Sequence, residues 1–142
     1  MTQEEKQLLF KDLCVRLPYH VRCKIWLKDG TTEEGPLDLE HNYADVLLDA
    51  FYYNDIKDIK PYLRPMSSMT EEEVKEIQKI NWQFCKPKND LDECSVESAD
   101  DGYCSVSQMA GILDYLNAHH FDFRGLIPMG LALEAPEDMY NI

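Results

Sequence analysis

Two histidines and an aspartate stand almost side by side at His119-His120-Phe121-Asp122. Imidazole nitrogens and carboxylate oxygens are donors that zinc and iron accept, so His119, His120 and Asp122 are candidate metal ligands. The spacing fits poorly. Adjacent side chains on a helix diverge by about 100°, whereas helical metal sites place histidines at i and i+4 on one face. The competing reading is a polar helix end, where a protonated imidazole meets the unpaired C-terminal carbonyls. A metal would also need His20 or His41 brought in from elsewhere in the chain.

Other chemistry is fainter still. Asp90-x-Asp92 is similar to the start of a calcium loop but has Ser95 where the turn glycine belongs and Asp101 where the bidentate glutamate belongs. Of the five cysteines, Cys14 and Cys23 fall on expected core faces, where cysteine acts as a small hydrophobe. Cys85, Cys94 and Cys104 lie among acids that disfavour a thiolate. There is no glycine-rich phosphate loop and no serine elbow. Arg64 and Arg124 are isolated arginines, suited to an anion or to ion pairs with the acids of Thr70–Glu73 or with Asp114 and Asp122. Trp26 lies on the polar side of its strand. With Tyr62, Arg64 and Arg124 it makes a candidate interaction surface, since exposed aromatics and arginines anchor interfaces.

The elements that must position these residues follow from periodicity. Thr2-x-x-Glu5 is a capping box opening a helix to Arg16, with Leu9, Leu13 and Leu17 on one face and Pro18 ending it. From His20 to Lys28 apolar and polar residues alternate as in a half-buried strand. Asp29-Gly30 signals a tight turn into a second strand, Thr31 to Leu39, which Pro36 confines to an edge. The run Asp45 to Tyr53 reads as a third strand and Asp55 to Lys60 as a short fourth. Lys60 to Met66 reads as an extended, proline-marked connector.

Thr70–Glu73 and Ser105–Gln108 are further capping boxes, opening a second and a third helix. Asp122 is placed to cap a short fourth helix over Phe123 to Met129, closed by Gly130. The stretch 85–103 has six acids and almost no apolar period, so it reads as a loop between helices. The expected fold is α+β. An N-terminal helix and a small curled antiparallel sheet, similar to an SH3-like or Sm-like partial barrel, occupy residues 1–66. Two to three helices occupy 67–142, packed with the first part as one domain.

Charge narrows the partners. The chain of 142 residues has 27 acids and 14 bases, for a net charge of −13. Residues 1–66 contribute −3 and the remainder −10. Such a surface repels phosphate backbones and anionic membranes. No stretch approaches the roughly 18 apolar residues of a membrane span. An odd cysteine count without CxxC pairs, and no export signal, point to a cytoplasmic protein with reduced thiols.

Two blocks carry a resemblance. Lys60 to Glu73 (KPYLRPMSSMTEEE) and Asp114 to Ile127 (DYLNAHHFDFRGLI), with Gly130 to Tyr140, resemble small uncharacterised proteins of Bacteroides-type gut bacteria, often found near prophage or other mobile elements. The opening MTQEEKQLLFKDLCVRLPY fits as well. This chain departs from that pattern at Pro128-Met129, where a charged pair is expected, and at Asp138, where glycine is expected. The resemblance implies a bacterial cytoplasmic protein and supplies no activity, cofactor or catalytic residue. The leading expectation is therefore a non-enzymatic interaction or regulatory module of a mobile element, with a protein partner. The alternatives are a metal-dependent enzyme using His119, His120 and Asp122, and an acidic nucleic-acid mimic that occupies a basic host protein.

Overall fold

The structure is a computed structural model and describes residues 1–37, 43–52, 56–85 and 105–140. Helix α1 spans Gln3–Arg16 and opens on the Thr2–Glu5 capping box, with both reciprocal hydrogen bonds formed. Pro18 diverts the chain into one 3-10 turn, Leu17–Tyr19. Strand β1, Val21–Leu27, follows the expected alternation. Val21, Cys23 and Ile25 are buried, while Arg22, Lys24 and Trp26 face the other way and are half-buried. At the turn, Gly30 takes φ +90°, a region that a side chain rarely enters, and Asp29 accepts hydrogen bonds from Thr31. Strand β2, Thr32–Leu37, returns antiparallel and lies at the sheet edge, where Pro36 leaves no ladder donor missing inside the sheet.

Helix α2, Tyr43–Phe51, occupies the run expected to be a third strand. Val46, Leu47, Ala50 and Phe51 recur at helical spacing, and all four pack on the core. A short apolar run satisfies both periods, and here packing against α1, with Phe51 edge-on to Phe10 at 5.3 Å, decides for the helix. Strand β3, Ile56–Leu63, is longer than expected and absorbs most of the proline-marked connector. It pairs antiparallel with β1 and parallel with the two-residue β4, Leu133–Glu134. The order is β2-β1-β3-β4. The sheet is mixed and open, with β2 and β4 at its edges, rather than curled into a partial barrel.

Helix α3, Glu71–Gln78, and helix α4, Val106–Ala118, both begin at their expected capping boxes. The fourth helix does not form. Asp122 instead accepts the backbone N–H groups of Leu126 and Ile127 at 2.8 and 2.9 Å, and Gly125 and Gly130 turn the chain with positive φ. Asp90, Asp92, Cys94, Cys104, His41 and the body of the acidic stretch lie outside the described residues. No helix among the described residues is long and apolar enough to cross a membrane.

Apolar burial falls into two clusters. One joins α1, α2 and the inner sheet face with Leu126, Leu131 and Ala132. The other joins Met66, Met69, Ile77 and Phe84 to Ile112, Leu116 and Phe121. The segment His119–Asp122 runs along the seam between them.

Candidate functional site

The seam is pinned by backbone. Arg64, just past β3, donates its N–H to the His120 carbonyl at 2.7 Å and accepts the Asp122 N–H at 2.8 Å. Phe121 between them is fully buried, and the Arg64 guanidinium lies 4.2 Å from its ring centroid. Ion-paired groups and a histidine-lined cleft both adjoin this segment, and His119 borders each of them.

The charged side is sealed. Arg16 and Asp12, four apart on α1, are both fully buried. Arg16 donates to Asp12 through Nε at 2.7 Å and Nη2 at 3.1 Å, and Nη2 also reaches the Phe121 carbonyl at 2.7 Å. Arg124 adds a second cation on Asp12 at 3.2 Å. Arg16 Nη1 is buried with no hydrogen-bond partner among the described residues. Arg64 forms a two-pronged pair with Glu73, at 2.8 Å for each bond, and the Glu73 carboxylate also accepts the Thr70 N–H. Burial pushes the Glu73 carboxyl up, but the Arg64 and Thr70 bonds together hold it below its ordinary value. Arg64 thus finds an expected acid, whereas Arg124 finds Asp12 instead of Asp114 or Asp122.

The histidine side is open. A cleft of about 490 Å³ is lined by Tyr19, His20, Arg22, Pro36, Ala118, His119, His120, Met139 and Tyr140. Three of the chain's four histidines meet there, with one arginine and no carboxylate among the described lining residues. His120 stacks on Tyr140 at 3.7 Å and 16°, and His119 on Tyr115 at 4.1 Å and 19°. The Tyr140 hydroxyl is committed, accepting the Arg22 N–H at 2.9 Å and donating to the Tyr62 carbonyl at 2.7 Å. His120 Nδ1 is sealed with no partner among the described residues, which leaves Nε2 as the nitrogen that can serve the cleft. Burial, with the charges of Arg16, His119, Arg64 and His20, lowers the His120 pKa to about 4. Burial also lowers the His119 pKa. Its Nδ1 lies 3.6 Å from Glu73, whose upward pull does not offset that, so the contact is not an ion pair at neutral pH.

Backbone conformation marks the same place. Among the described residues only two non-glycines have positive φ, His20 at 57° and His120 at 65°. Each costs about 1 kcal/mol or more in this region, and such strain concentrates where a site needs a particular side-chain position. Both histidines line the cleft.

The metal reading gains little from this arrangement. Asp122 has both oxygens engaged by backbone N–H groups, and His119 and His120 lie flat on different tyrosines. Burial still raises the Asp122 pKa. Among the described residues no three His, Cys, Asp or Glu side chains are grouped to hold an ion. As for thiols, Cys23 is buried and its pKa is pushed up to about 12, first by burial and then by Asp12. Cys14 is half-buried and Cys85 exposed.

Trp26 and Tyr62 share the outer sheet face. Lys24 and Lys60, cross-strand partners, hold their ammonium groups 5.4 and 5.8 Å from the Trp26 ring centroid. The Tyr62 hydroxyl donates to Glu34 at 2.6 Å, which pushes its pKa up to about 12, and Glu34 also lies 3.9 Å from Lys24. Arg22 follows Lys24 along the same face of β1 and leads into the histidine cleft. Of the four candidate surface residues, the structure brings Trp26 and Tyr62 to one face and commits Arg64 and Arg124 to ion pairs.

Sequence reasoning missed Asp12, Arg16 and Arg22, and named His20 only as a possible further metal ligand. The first two were findable, because Asp12 lies three residues after Leu9 and Arg16 three after Leu13, on the buried side of α1. No spacing rule connects His20 to His120, a hundred positions apart. Comparison with protein-family profiles, curated proteins and solved structures finds no match for this chain.

Proposed function

We propose that the protein is a non-enzymatic interaction module that engages an acidic segment of a partner protein on the outer face of its sheet. The supporting observation is the grouping of Arg22, Lys24 and Lys60 with Trp26 and Tyr62 on one face of a chain whose net charge is −13. Glu34 illustrates the chemistry in miniature, since a carboxylate there is taken by a tyrosine hydroxyl and approached by a lysine. An acidic peptide with an aromatic side chain would replace water along this face while the cations steer it. The overall negative field favours a short peptide over a nucleic-acid backbone. A regulatory role in a mobile element accords with the resemblance of the two sequence blocks, and belongs to the same proposal.

The test uses Trp26 as its own reporter. Trp82 is 73% exposed, so Trp82→Phe removes the second indole at little structural cost. A short glutamate-rich peptide with a central tyrosine should change Trp26 fluorescence saturably, and should weaken as salt rises. Lys24→Glu combined with Lys60→Glu should abolish the change. The proposal fails if the acidic peptide produces no saturable change. It fails equally if a lysine-rich peptide or a single-stranded oligothymidylate binds as well, or if charge reversal leaves binding intact.

A further inference from the structure

We infer that the cleft of His20, Arg22, His120 and Tyr140 is a binding site for a small organic anion with one carboxylate or phosphate head and an apolar body. This goes beyond the sheet-face reading and does not depend on it. Four observations carry it. The cleft, about 490 Å³, falls in the size range of small-molecule sites. Its described lining combines cationic or hydrogen-bonding side chains with the apolar Pro36, Ala118 and Met139. No carboxylate among the described residues pairs with the Arg22 guanidinium, unlike Arg16, Arg64 and Arg124. Finally, the only two non-glycine residues of positive φ among those described are histidines of this lining.

Two other clefts compare poorly. The cleft lined by Arg64, Ser68, Glu134, Glu137 and Tyr140 carries two carboxylates, and its one arginine is held by Glu73. The cleft between α1 and α2 offers Lys6 and two glutamines around Phe10, Phe51 and Tyr52, with no buried polar group. Burial first, and then nearby positive charge, keeps His120 neutral, and an anion in the cleft would offset the second of these. Guanidinium and imidazole N–H groups would take the oxyanion, and the stacked His120–Tyr140 pair would form a flat wall.

The experiment is an NMR titration of the intact protein, following the histidine ring protons and the Arg22 side-chain Nε–H. The probes are benzoate, phenyl phosphate and the neutral isostere benzamide. One or both anions should shift the His20, His120 and Arg22 signals saturably, and which of them binds more tightly separates a carboxylate head from a phosphate head. Benzamide should bind at least tenfold more weakly. Arg22→Gln should weaken the anion at least tenfold, and His120→Asn, which tolerates positive φ, provides a second variant if the first does not fold. The inference is overturned if neither anion shifts these signals, if benzamide matches the anions, or if the folded variants bind as the unaltered protein does.

Discussion

The two sides of the His119–Asp122 segment treat charge in opposite ways. On one side Asp12 pairs with Arg16 and Arg124, and Arg64 with Glu73, and Asp12 and Arg16 are shut off from water altogether. On the other, Arg22 and three histidines line an open cleft with no described carboxylate, and Lys24, Lys60 and Trp26 continue the cationic surface along the sheet. Arginine by itself therefore says little about function here. What matters is whether its charge is already balanced within the fold. The sealed side holds α1, the Arg64 segment and the C-terminal turns together, and on the open side no carboxylate among the described residues pairs with the Arg22 guanidinium.

Variants should break this comparison with effects that scale with burial. Asp12→Ala leaves two guanidinium groups without their carboxylate, one of them fully buried, and should cost about 3–5 kcal/mol in urea unfolding. Combining it with Arg16→Met should recover a good part of that loss, and a single-variant cost below about 1 kcal/mol would contradict the sealed network. Next in size is His120. Its folded pKa, about 4, lies below the ordinary 6.5, so between those values the unfolded chain holds a proton that the folded ring refuses. Stability present above pH 6.5 is thus lost as pH falls toward 4, by about 3 kcal/mol at the limit. His120→Asn should flatten that part of the stability–pH profile, and an unchanged slope would count against it.

Arg64→Ala removes two charge-assisted bonds from Glu73 and should cost about 2 kcal/mol. The lowered Glu73 pKa means that its contribution is present above its unfolded value and disappears as pH falls through the folded one, so the variant's penalty should shrink in acid. Thr70→Ala loses the cap of α3 and should cost about 1 kcal/mol by thermal or chemical unfolding. Smallest of all, Arg22→Gln should change stability by no more than about 0.5 kcal/mol, because no carboxylate among the described residues is left unpaired. A loss comparable to that of Arg64→Ala would place Arg22 on the structural side of the comparison.

Local rules made much of the fold legible. Three capping boxes mark three helix starts, the alternation from Val21 identifies β1, and Pro36 identifies an edge strand. These signals act within a few residues, so a sequence displays them directly. The run Asp45–Tyr53 misled because its apolar residues satisfy two periods, and only contact with α1 and the sheet chooses between them. Asp122 was legible as a cap but not as the cap of a turn, since Gly125 and Gly130 redirect the chain after it. His119 and His120, adjacent in sequence, lie on different tyrosines, which no local spacing displays. The cleft itself depends on His20 and Arg22, His119 and His120, and Tyr140 converging from three separate stretches, which is tertiary information.

The most direct test maps where an acidic ligand lands. Backbone and side-chain NMR shifts, followed while the glutamate-rich peptide is added to the intact protein, report the open and sealed regions at once. The account predicts saturable shifts centred on Lys24, Trp26, Lys60 and Tyr62, with Asp12, Arg16, Arg64 and Arg124 unmoved. Shifts centred on the sealed network, or no shift at the sheet face, would contradict it.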